Sequence, residues 1–366
     1  MLREFQHLII WSVCYIFYTL VLKYPKNVGT VVLTDFSKAF DLIDHNLLIP
    51  KFVQIGVRES LIRWICSFIS DRQQCVRYNQ TLSDYKKLNG GLPQGTKMGP
   101  LGFQVIINDA ASETSAKVWK YVDDLTLASN VTDSATNTLQ DDLDNFVSWS
   151  TNNNLTLNPS KCQGLQVCFM RAPPTPTLCI DDVPLDFVKC AKILGIWLQE
   201  DLKWEKQVKE MLKKANCRMY MLRTLKRFGF NSEELNVIYK GYVRPLLDYG
   251  DVAWGASLTC DQSTTLEKVQ KRACQIMLGK KYSSYTDAID KCGLETLSDL
   301  GKNHSRKFAK SLPKCKRTSN LIPATRLEKT GRNLRNSDSI SRVPFRTERF
   351  RMSPIPNFIN LLNNMS

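Results

Sequence analysis

The stretch that decides the fold is Lys117-Val118-Trp119-Lys120-Tyr121-Val122-Asp123-Asp124-Leu125-Thr126-Leu127-Ala128. Its apolar alternation predicts a β-hairpin with Asp123 and Asp124 at the tip. Two adjacent carboxylates repel each other unless a positive charge lies between them and a third acid. A divalent metal site is therefore one interpretation. The other is an ordinary solvated turn, because Asp is common in turns.

A third acid follows the β-branched run Thr30-Val31-Val32-Leu33-Thr34, which predicts a strand ending at Asp35. If this strand neighbours the hairpin, Asp35, Asp123 and Asp124 offer the hard oxygen ligands that Mg²⁺ prefers. Two such ions can activate an attacking hydroxyl and stabilise a leaving pyrophosphate in an in-line displacement. The chemistry that this arrangement predicts is nucleotidyl transfer.

The segments that contain Asp35 and the Asp123-Asp124 pair belong to an ordered set of five motifs. In chain order the motifs are Asp35–Asp41, Gly91–Leu101, Tyr121–Asp124, Leu157–Cys162 and Lys192–Leu198. Together they resemble the palm motifs of reverse transcriptases from non-LTR, LINE-like (jockey-like) retrotransposons. The resemblance covers about residues 27 to 300. It implies an RNA-directed DNA polymerase that adds deoxynucleoside triphosphates to a DNA primer on an RNA template. The implied cofactor is a pair of Mg²⁺ ions, with Mn²⁺ as a possible substitute.

The resemblance also implies a role for each catalytic residue. Asp35, Asp123 and Asp124 match the catalytic, metal-binding acids, and Phe36 is counted with the metal ligands. Lys161 matches the lysine that donates a proton to the departing pyrophosphate. A lysine near a leaving oxyanion can act as a general acid or an electrostatic clamp. From the residues alone, Lys161 could equally be one solvated charge among many.

Three further residues match the substrate-binding positions of the family. Phe40 matches the bulky residue under the incoming sugar that excludes a 2′-hydroxyl. Gln94 and Gly95 match the turn that cradles the new base pair. Glycines in this segment let the backbone approach a base pair without a Cβ clash. The alternatives are a core side chain at Phe40 and a simple turn at Gly95.

The charge balance agrees with a polyanionic partner. The chain has 50 Lys and Arg against 35 Asp and Glu, a net charge of +15. Residues 302–366 alone contain 15 basic and 3 acidic residues. This basic tail would hold a nucleic-acid backbone through salt-sensitive contacts, or it would be a partly disordered, solubilising segment.

A second basic element spans Trp204 to Arg227, where apolar residues recur at helical spacing. Its position after the palm resembles a polymerase thumb helix that faces the primer-template duplex. A merely solvated charged face is the alternative. The candidate nucleic-acid-binding residues are Lys206, Lys209, Lys213, Lys214 and Arg218.

The N-terminal segment differs from the family pattern. Only 34 residues precede Asp35, so we expect a chain shortened in its fingers subdomain. The apolar run Leu8–Leu22 is shorter than the roughly 20 residues needed to cross a bilayer. A residual fingers helix is favoured over a hydrophobic leader, and membrane binding is unlikely. The shortened N-terminus leaves a second functional hypothesis, a catalytically defective fragment that only binds nucleic acid.

Twelve cysteines are scattered without a Cys-x-x-Cys pair, so zinc-site spacing is absent. Reduced thiols in an intracellular protein are the simpler account. Together with the resemblance, this predicts a protein of the nucleus or cytoplasm, within a ribonucleoprotein particle.

The predicted fold is α+β, a polymerase palm whose antiparallel-leaning sheet carries helices on one face, followed by a helical thumb-like region. Within the palm we expect a helix from Ser37 to about Ile55, and a strand at Lys192–Leu198 that completes the sheet. The predicted domains are a residual fingers helix or leader at 1–26, the palm at 27–200, the thumb and helical connection at 201–300, and the basic tail at 301–366.

Overall fold

The computed structural model has the predicted α+β composition. The prediction for Leu8–Leu22 lies outside the described residues. By its residue–residue contacts, the chain divides into two compact units. The first unit consists of Val28–Gln166 and Ala172–Lys189. The second unit contains Val167–Arg171 and the chain from Cys190 onward. The hairpin at 190–199 thus groups with the helices that follow it. The structure describes residues 28–131, 138–171, 177–314, 322–332, 337–345 and 347–364.

The first unit is built on a five-stranded sheet with the order β11-β8-β1-β7-β6. β7 pairs antiparallel with both β1 and β6, whereas β11 pairs parallel with β8. This confirms the antiparallel-leaning sheet. β1 is buried along almost its whole length, which explains its β-branched composition. The strands are β1 Val28–Thr34, β6 Lys117–Tyr121, β7 Asp124–Val131, β8 Gln163–Val167 and β11 Asp186–Phe187.

Four helices of this unit share one hydrophobic cluster with the sheet. Val32, Leu125 and Leu127 of β1 and β7 pack in the same cluster as Phe103 and Phe146, which are both fully buried. A sheet face and helix stripes buried together are the basis of a layered α+β domain. The helices are α1 His45–Gln54, α2 Glu59–Ile69, α3 Met98–Ile107 and α4 Thr138–Asn152.

The first helix begins later than the sequence predicts. It starts at His45, and the Asp44 side chain caps it by accepting a hydrogen bond from the Asn46 N–H. Lys38 has a φ of +50°, a left-handed conformation that no α-helix continues through. The predicted cap at Ser37 was therefore wrong, and the residues after Asp35 form turns instead.

Small two-stranded ladders complete the first unit. β2 pairs antiparallel with β5 and β3 with β4, so that one extended ribbon separates α2 from α3. β9 and β10 form a separate hairpin. The strands are β2 Gln73–Gln74, β3 Arg77–Tyr78, β4 Thr81–Leu82, β5 Lys86–Lys87, β9 Cys179–Ile180 and β10 Val183–Pro184.

The second unit opens with the hairpin β12 Cys190–Ile193 and β13 Ile196–Gln199. The strand predicted at 192–198 was expected to extend the palm sheet, but the two halves of this segment pair with each other. Leu194 and Gly195 have φ values of +46° and +90°, which suit a tight hairpin turn. This local turn chemistry explains why the segment is a hairpin and not one strand.

The rest of the second unit is helical. The C-terminal helix buries Phe358, which packs with Ala309 and Leu312 of the preceding helical region, so this part of the predicted basic tail is structured. No helix within the described ranges is long and apolar enough to cross a membrane. The helices are α5 Glu205–Arg227, α6 Ser232–Ile238, α7 Asp251–Trp254, α8 Cys260–Leu278, α9 Tyr285–Cys292, α10 Leu297–Ser311, α11 Arg326–Thr330, α12 Glu348–Arg351 and α13 Pro354–Asn363.

Candidate active site

The strand register brings the three predicted acids to one end of the sheet. The last residue pair between β1 and β7 is Thr34 with Leu125, and the Thr34 hydroxyl donates to the Leu125 carbonyl at 3.1 Å. Asp35 directly follows Thr34 and Asp124 directly precedes Leu125, so both acids lie at the same end of this ladder. Asp123 belongs to the turn that joins β6 to β7. Two chain segments far apart in sequence thus supply carboxylates to one place.

The turn itself is strained. Tyr121 pairs with Asp124, so Val122 and Asp123 form a two-residue connection. Val122 has a φ of +55°, which is unusual for a β-branched residue. Its half-buried side chain packs against the hydrophobic cluster, which helps to hold the turn in place. Such strain persists where the surroundings fix the backbone, and it is common at functional sites.

The three carboxylates influence one another electrostatically. Burial of its carboxyl, then the negative charges of Asp123 and Asp35, raise the pKa of Asp124 to about 6. Asp124 as a whole residue is exposed. A cation at the site would relieve the part of this pKa shift that comes from the negative charges of Asp123 and Asp35.

Lys161 lies beside the first of these acids. Its Nζ is 3.3 Å from Asp35 Oδ2, in an ion pair in which the lysine side chain is 64% exposed and the aspartate side chain 42%. The Oδ2 atom itself is buried and has no hydrogen-bond partner among the described residues. An oxygen in this state is open to a further cation or donor.

The predicted residues fit a divalent cation in their chemistry. Asp35, Asp123 and Asp124 supply carboxylate oxygens, which are the ligands of Mg²⁺. The Phe36 side chain packs in the core against Phe103 and Phe146, so only its backbone carbonyl could contribute an oxygen. Within the described ranges, no three His, Cys, Asp or Glu side chains are already grouped closely enough to hold one metal ion.

The segment Leu157–Cys162 positions Lys161 through its backbone. The Asn158 N–H donates to the Asp35 carbonyl at 2.8 Å, and the Lys161 N–H donates to the Asn158 carbonyl at 3.0 Å. The Asp35 N–H in turn points at the Cys162 thiol, with an N–Sγ distance of 3.4 Å. The sequence analysis included Cys162 in the motif Leu157–Cys162 and counted it among the scattered thiols, but it gave this residue no contact with Asp35. Its contact with Asp35 depends on folding, and the spacing of the cysteines carried no signal of it.

The predicted substrate-binding residues lie on adjoining segments. Phe40 is half-buried, with its ring centroid 5.0 Å from that of Phe103, and its carbonyl accepts from the Leu92 N–H at 2.8 Å. The exposed Gln94 side chain donates to Asp41 Oδ1 at 3.0 Å. These two hydrogen bonds bring Phe40 and Gln94 close together. Gly95 has a φ of +77°, which explains the glycine at this turn.

Two polar side chains that sequence reasoning missed fix the same segment. Arg72 donates to the carbonyls of Gly90 and Gly91 at 2.9 and 2.6 Å, and His45 Nε2 lies 2.8 Å from the Gly91 carbonyl oxygen. Gly91 has a φ of +76°, and a Cβ there would lie 2.8 Å from the Asp41 carbonyl oxygen. The glycine pair was a visible signal, but nothing in the sequence linked it to Arg72 or His45.

The five basic residues predicted on α5 fall into two groups. Lys209, Lys213 and Lys214 are exposed and make no ion pair within the described part of the chain. Lys206 pairs with Glu210 at 3.4 Å and lies over the Trp197 ring. Arg218 lies 4.2 Å from the centroid of the Tyr242 ring and donates to the Tyr242 carbonyl. Three cations are thus available for a polyanion, whereas two are engaged within the second unit.

Comparison with known proteins identifies a family. The family model for reverse transcriptase (RNA-dependent DNA polymerase) matches residues 7–209, more than half of the chain. In Drosophila melanogaster, the probable RNA-directed DNA polymerase from transposon BS is 26% identical over 309 residues, which are 78% of this chain and 33% of that protein. The RNA-directed DNA polymerase from mobile element jockey is 24% identical over 350 residues, 91% of this chain and 37% of that protein. The chain thus spans about a third of the length of these relatives.

Among solved structures, apo telomerase from Candida tropicalis, truncated from its C-terminal domain, is similar with a TM-score of 0.38. The match has 15% sequence identity and covers 54% of this chain and 39% of that one.

Proposed function

The chain belongs to the reverse transcriptase (RNA-dependent DNA polymerase) family, and we propose that it extends a DNA primer on an RNA template with deoxynucleoside triphosphates. The observation that carries this proposal is the register of β1 and β7, which brings Asp35, the residue after β1, and Asp124, the first residue of β7, to the same end of the sheet, with Asp123 in the adjoining turn. The family assignment confirms the resemblance on which the sequence prediction was based.

Asp35, Asp123 and Asp124, with the backbone carbonyl of Phe36, would hold the divalent ions of this reaction, Mg²⁺ or Mn²⁺. When bound, such ions supply Lewis-acid activation of the primer 3′-hydroxyl and neutralise charge on the pyrophosphate. The repulsion from Asp123 and Asp35 that contributes to the raised pKa of Asp124 supports a cation at this place.

Lys161 then serves the leaving group. Its ammonium carries a positive charge beside Asp35 and has protons to donate, so it can transfer one to an oxygen of the departing pyrophosphate. Its 64% exposed side chain has room to turn toward a bound triphosphate. The ion pair with Asp35 would keep Nζ near the reacting atoms until the substrate enters.

The remaining predicted residues would bind substrate and nucleic acid. Phe40 would lie under the incoming sugar and exclude a 2′-hydroxyl, while Gln94 and Gly95 would support the new base pair. The exposed lysines of α5 would contact phosphates of the primer-template without reading sequence. RNA template, DNA primer and deoxynucleoside triphosphates are the partners of this proposal.

Primer extension tests the proposal. We expect wild-type protein to extend a DNA primer on an RNA template only when Mg²⁺ or Mn²⁺ is present, and the Asp123→Asn variant to lose this activity because a carboxylate ligand is gone. Asp182→Asn is a matched control, since Asp182 lies in another acidic hairpin turn of the same unit and is exposed. Equal incorporation by wild type and Asp123→Asn would overturn the assignment.

The second candidate function is nucleic-acid binding without catalysis. The observation that favours it is that no three metal-ligating side chains within the described ranges are already grouped for an ion. It predicts RNA binding that weakens steeply with salt, and no extension with either metal.

A further inference from the structure

The ribbon of residues 73–87, formed by β2, β3, β4 and β5, exposes four large apolar or aromatic side chains. Val76 is 67% exposed, Tyr78 75%, Leu82 55% and Tyr85 65%. All four strands are exposed along their whole length. A two-stranded ribbon with no cover is only marginally stable in water, and grouped exposed apolar side chains mark interaction sites.

The charge of the ribbon indicates which class of partner it suits. Arg77, Lys86 and Lys87 outnumber the single acid Asp84, which gives the ribbon a net charge of +2. In the antiparallel register, Arg77 lies opposite Leu82 and next to Tyr78 in the chain. Exposed aromatic rings between cations are the surface on which single-stranded nucleic acid binds, because bases stack on the rings and phosphates meet the charges.

The base of the ribbon is tied to the segment that carries the predicted substrate-binding residues. The Leu88 N–H donates to the Arg72 carbonyl at 2.8 Å, and the Arg72 side chain holds the Gly90 and Gly91 carbonyls. The Leu92 N–H then donates to the Phe40 carbonyl. This chain of hydrogen bonds fixes the base of the ribbon relative to Phe40 and the turn at Gln94.

We propose that the ribbon binds single-stranded RNA, namely the template strand before it enters the active site. Bases would stack on Tyr78 and Tyr85, and Arg77 and Lys86 would contact the phosphates. The identity of this strand as the template depends on the proposed polymerase function. The affinity of the ribbon for single-stranded RNA does not depend on that function.

Fluorescence anisotropy of the 366-residue chain tests this. The probe is a labelled, unstructured RNA of about twelve nucleotides, a length within the range that such surfaces bind. Tyr78→Ala and Tyr85→Ala should each weaken binding about five- to a hundredfold, the loss expected for one base–aromatic stack. Tyr78→Phe should retain the affinity because it keeps the ring. Lys86→Gln should reduce the salt slope of log K by about 0.7, the value for one phosphate contact on a single strand.

Trp64→Ala is the matched control for loss of an exposed aromatic residue, since Trp64 is 56% exposed on α2 of the same unit. Unchanged affinity in both tyrosine-to-alanine variants, with thermal unfolding like that of wild type, would overturn the proposal. Equal affinity of Tyr78→Leu and Tyr78→Phe would also overturn it, and would indicate an apolar surface for a protein partner.

The binding measurement needs no nucleotide and no turnover, so it separates the two proposals. If the wild type fails to extend primers but the tyrosine variants still lose RNA binding, the polymerase assignment fails and the ribbon remains an RNA site. If extension occurs and the tyrosine variants bind RNA like wild type, the ribbon proposal fails and the polymerase assignment stands.

Discussion

The described part of the first unit contains two Asp-Asp pairs at hairpin turns, and the proposed metal site includes only one of them. Asp181 and Asp182 form the turn between β9 and β10, with φ values of +48° and +62°, and both are exposed. Asp123 and Asp124 lie where β6 joins β7 within the five-stranded sheet, and Asp35 directly follows β1, the strand that pairs with β7. The acidic dipeptide alone therefore does not distinguish the proposed site. A neighbouring strand that is followed by a third acid does.

The two Asp-Asp pairs also occupy different positions in their hairpin turns, shifted by one residue. Asp181 and Asp182 are the two central residues of their turn, whereas Asp124 is already the first residue of β7. The ladder with β6 fixes Asp124 at the end of β7 that lies beside the end of β1, and a shift by one residue would point its side chain to the other face. A solvated turn and a candidate active site thus differ by register.

The largest effect that would sharpen this comparison is loss of the third acid. Asp35→Asn should reduce the rate of nucleotide addition by about a thousandfold or more, the scale of a lost metal-ligand interaction in a transition state. Asp181→Asn should leave the rate near the wild-type value. Single-nucleotide extension in Mg²⁺ measures both variants, and RNA binding by Asp35→Asn confirms that it is folded. Similar rates for the two variants would mean that the two turns are functionally alike.

A smaller effect is expected at Lys161, the cation that accompanies only the first pair. Lys161→Gln should slow nucleotide addition by about a hundredfold, the lower range of general-acid contributions, while primer-template binding is retained. Lys189→Gln is the matched control, because Lys189 is an exposed lysine of the same unit and lies outside the five motifs. The ratio of single-turnover rates is the measurement. An unchanged rate in Lys161→Gln would exclude this lysine from the proposed mechanism, both as a proton donor and as a neutralising charge.

The parts of this site that the sequence predicts are those set by local pattern. The alternation around Asp123 and the β-branched run before Asp35 determine strands, and the order of the five motifs determines the family. The sequence does not predict the late start of α1, because that start depends on a positive φ at Lys38, and lysine rarely adopts a positive φ. Arg72 contacts the carbonyls of Gly90 and Gly91, which lie 18 and 19 positions further along the chain, and no sequence periodicity indicates contacts of this kind.

Sequence also cannot tell which charges of a helix are available. Lys206 and Arg218 have the same spacing pattern as the exposed lysines of α5, yet aromatic side chains from other elements engage both. The aromatic partners Trp197 and Tyr242 lie on segments before and after the helix. Their positions follow from packing within the second unit, which a helical pattern alone does not specify.

The smallest expected effect concerns stability, and it tests whether the first pair is held under repulsion. In the folded chain the pKa of Asp124 is raised from its ordinary value of 3.8 to about 6. A group whose pKa is raised by folding binds its proton more tightly in the folded state, so stability falls as the pH rises from about 4 to about 6 and the penalty is complete above that. Asp124→Asn removes this penalty. Without metal, the variant should therefore unfold at a slightly higher temperature than wild type at pH 7, and at a similar temperature near pH 4.

Asp182→Asn is the matched control, because Asp182 lies at the exposed turn between β9 and β10. Thermal unfolding in a chelator, followed at several pH values, measures all three proteins. Adding Mg²⁺ should then raise the unfolding temperature of wild type more than that of Asp124→Asn, since a ligand that binds only the folded state stabilises it. A lower unfolding temperature for Asp124→Asn at pH 7 would show that its carboxylate is stabilised by the fold, and would remove the electrostatic distinction between the two acidic turns.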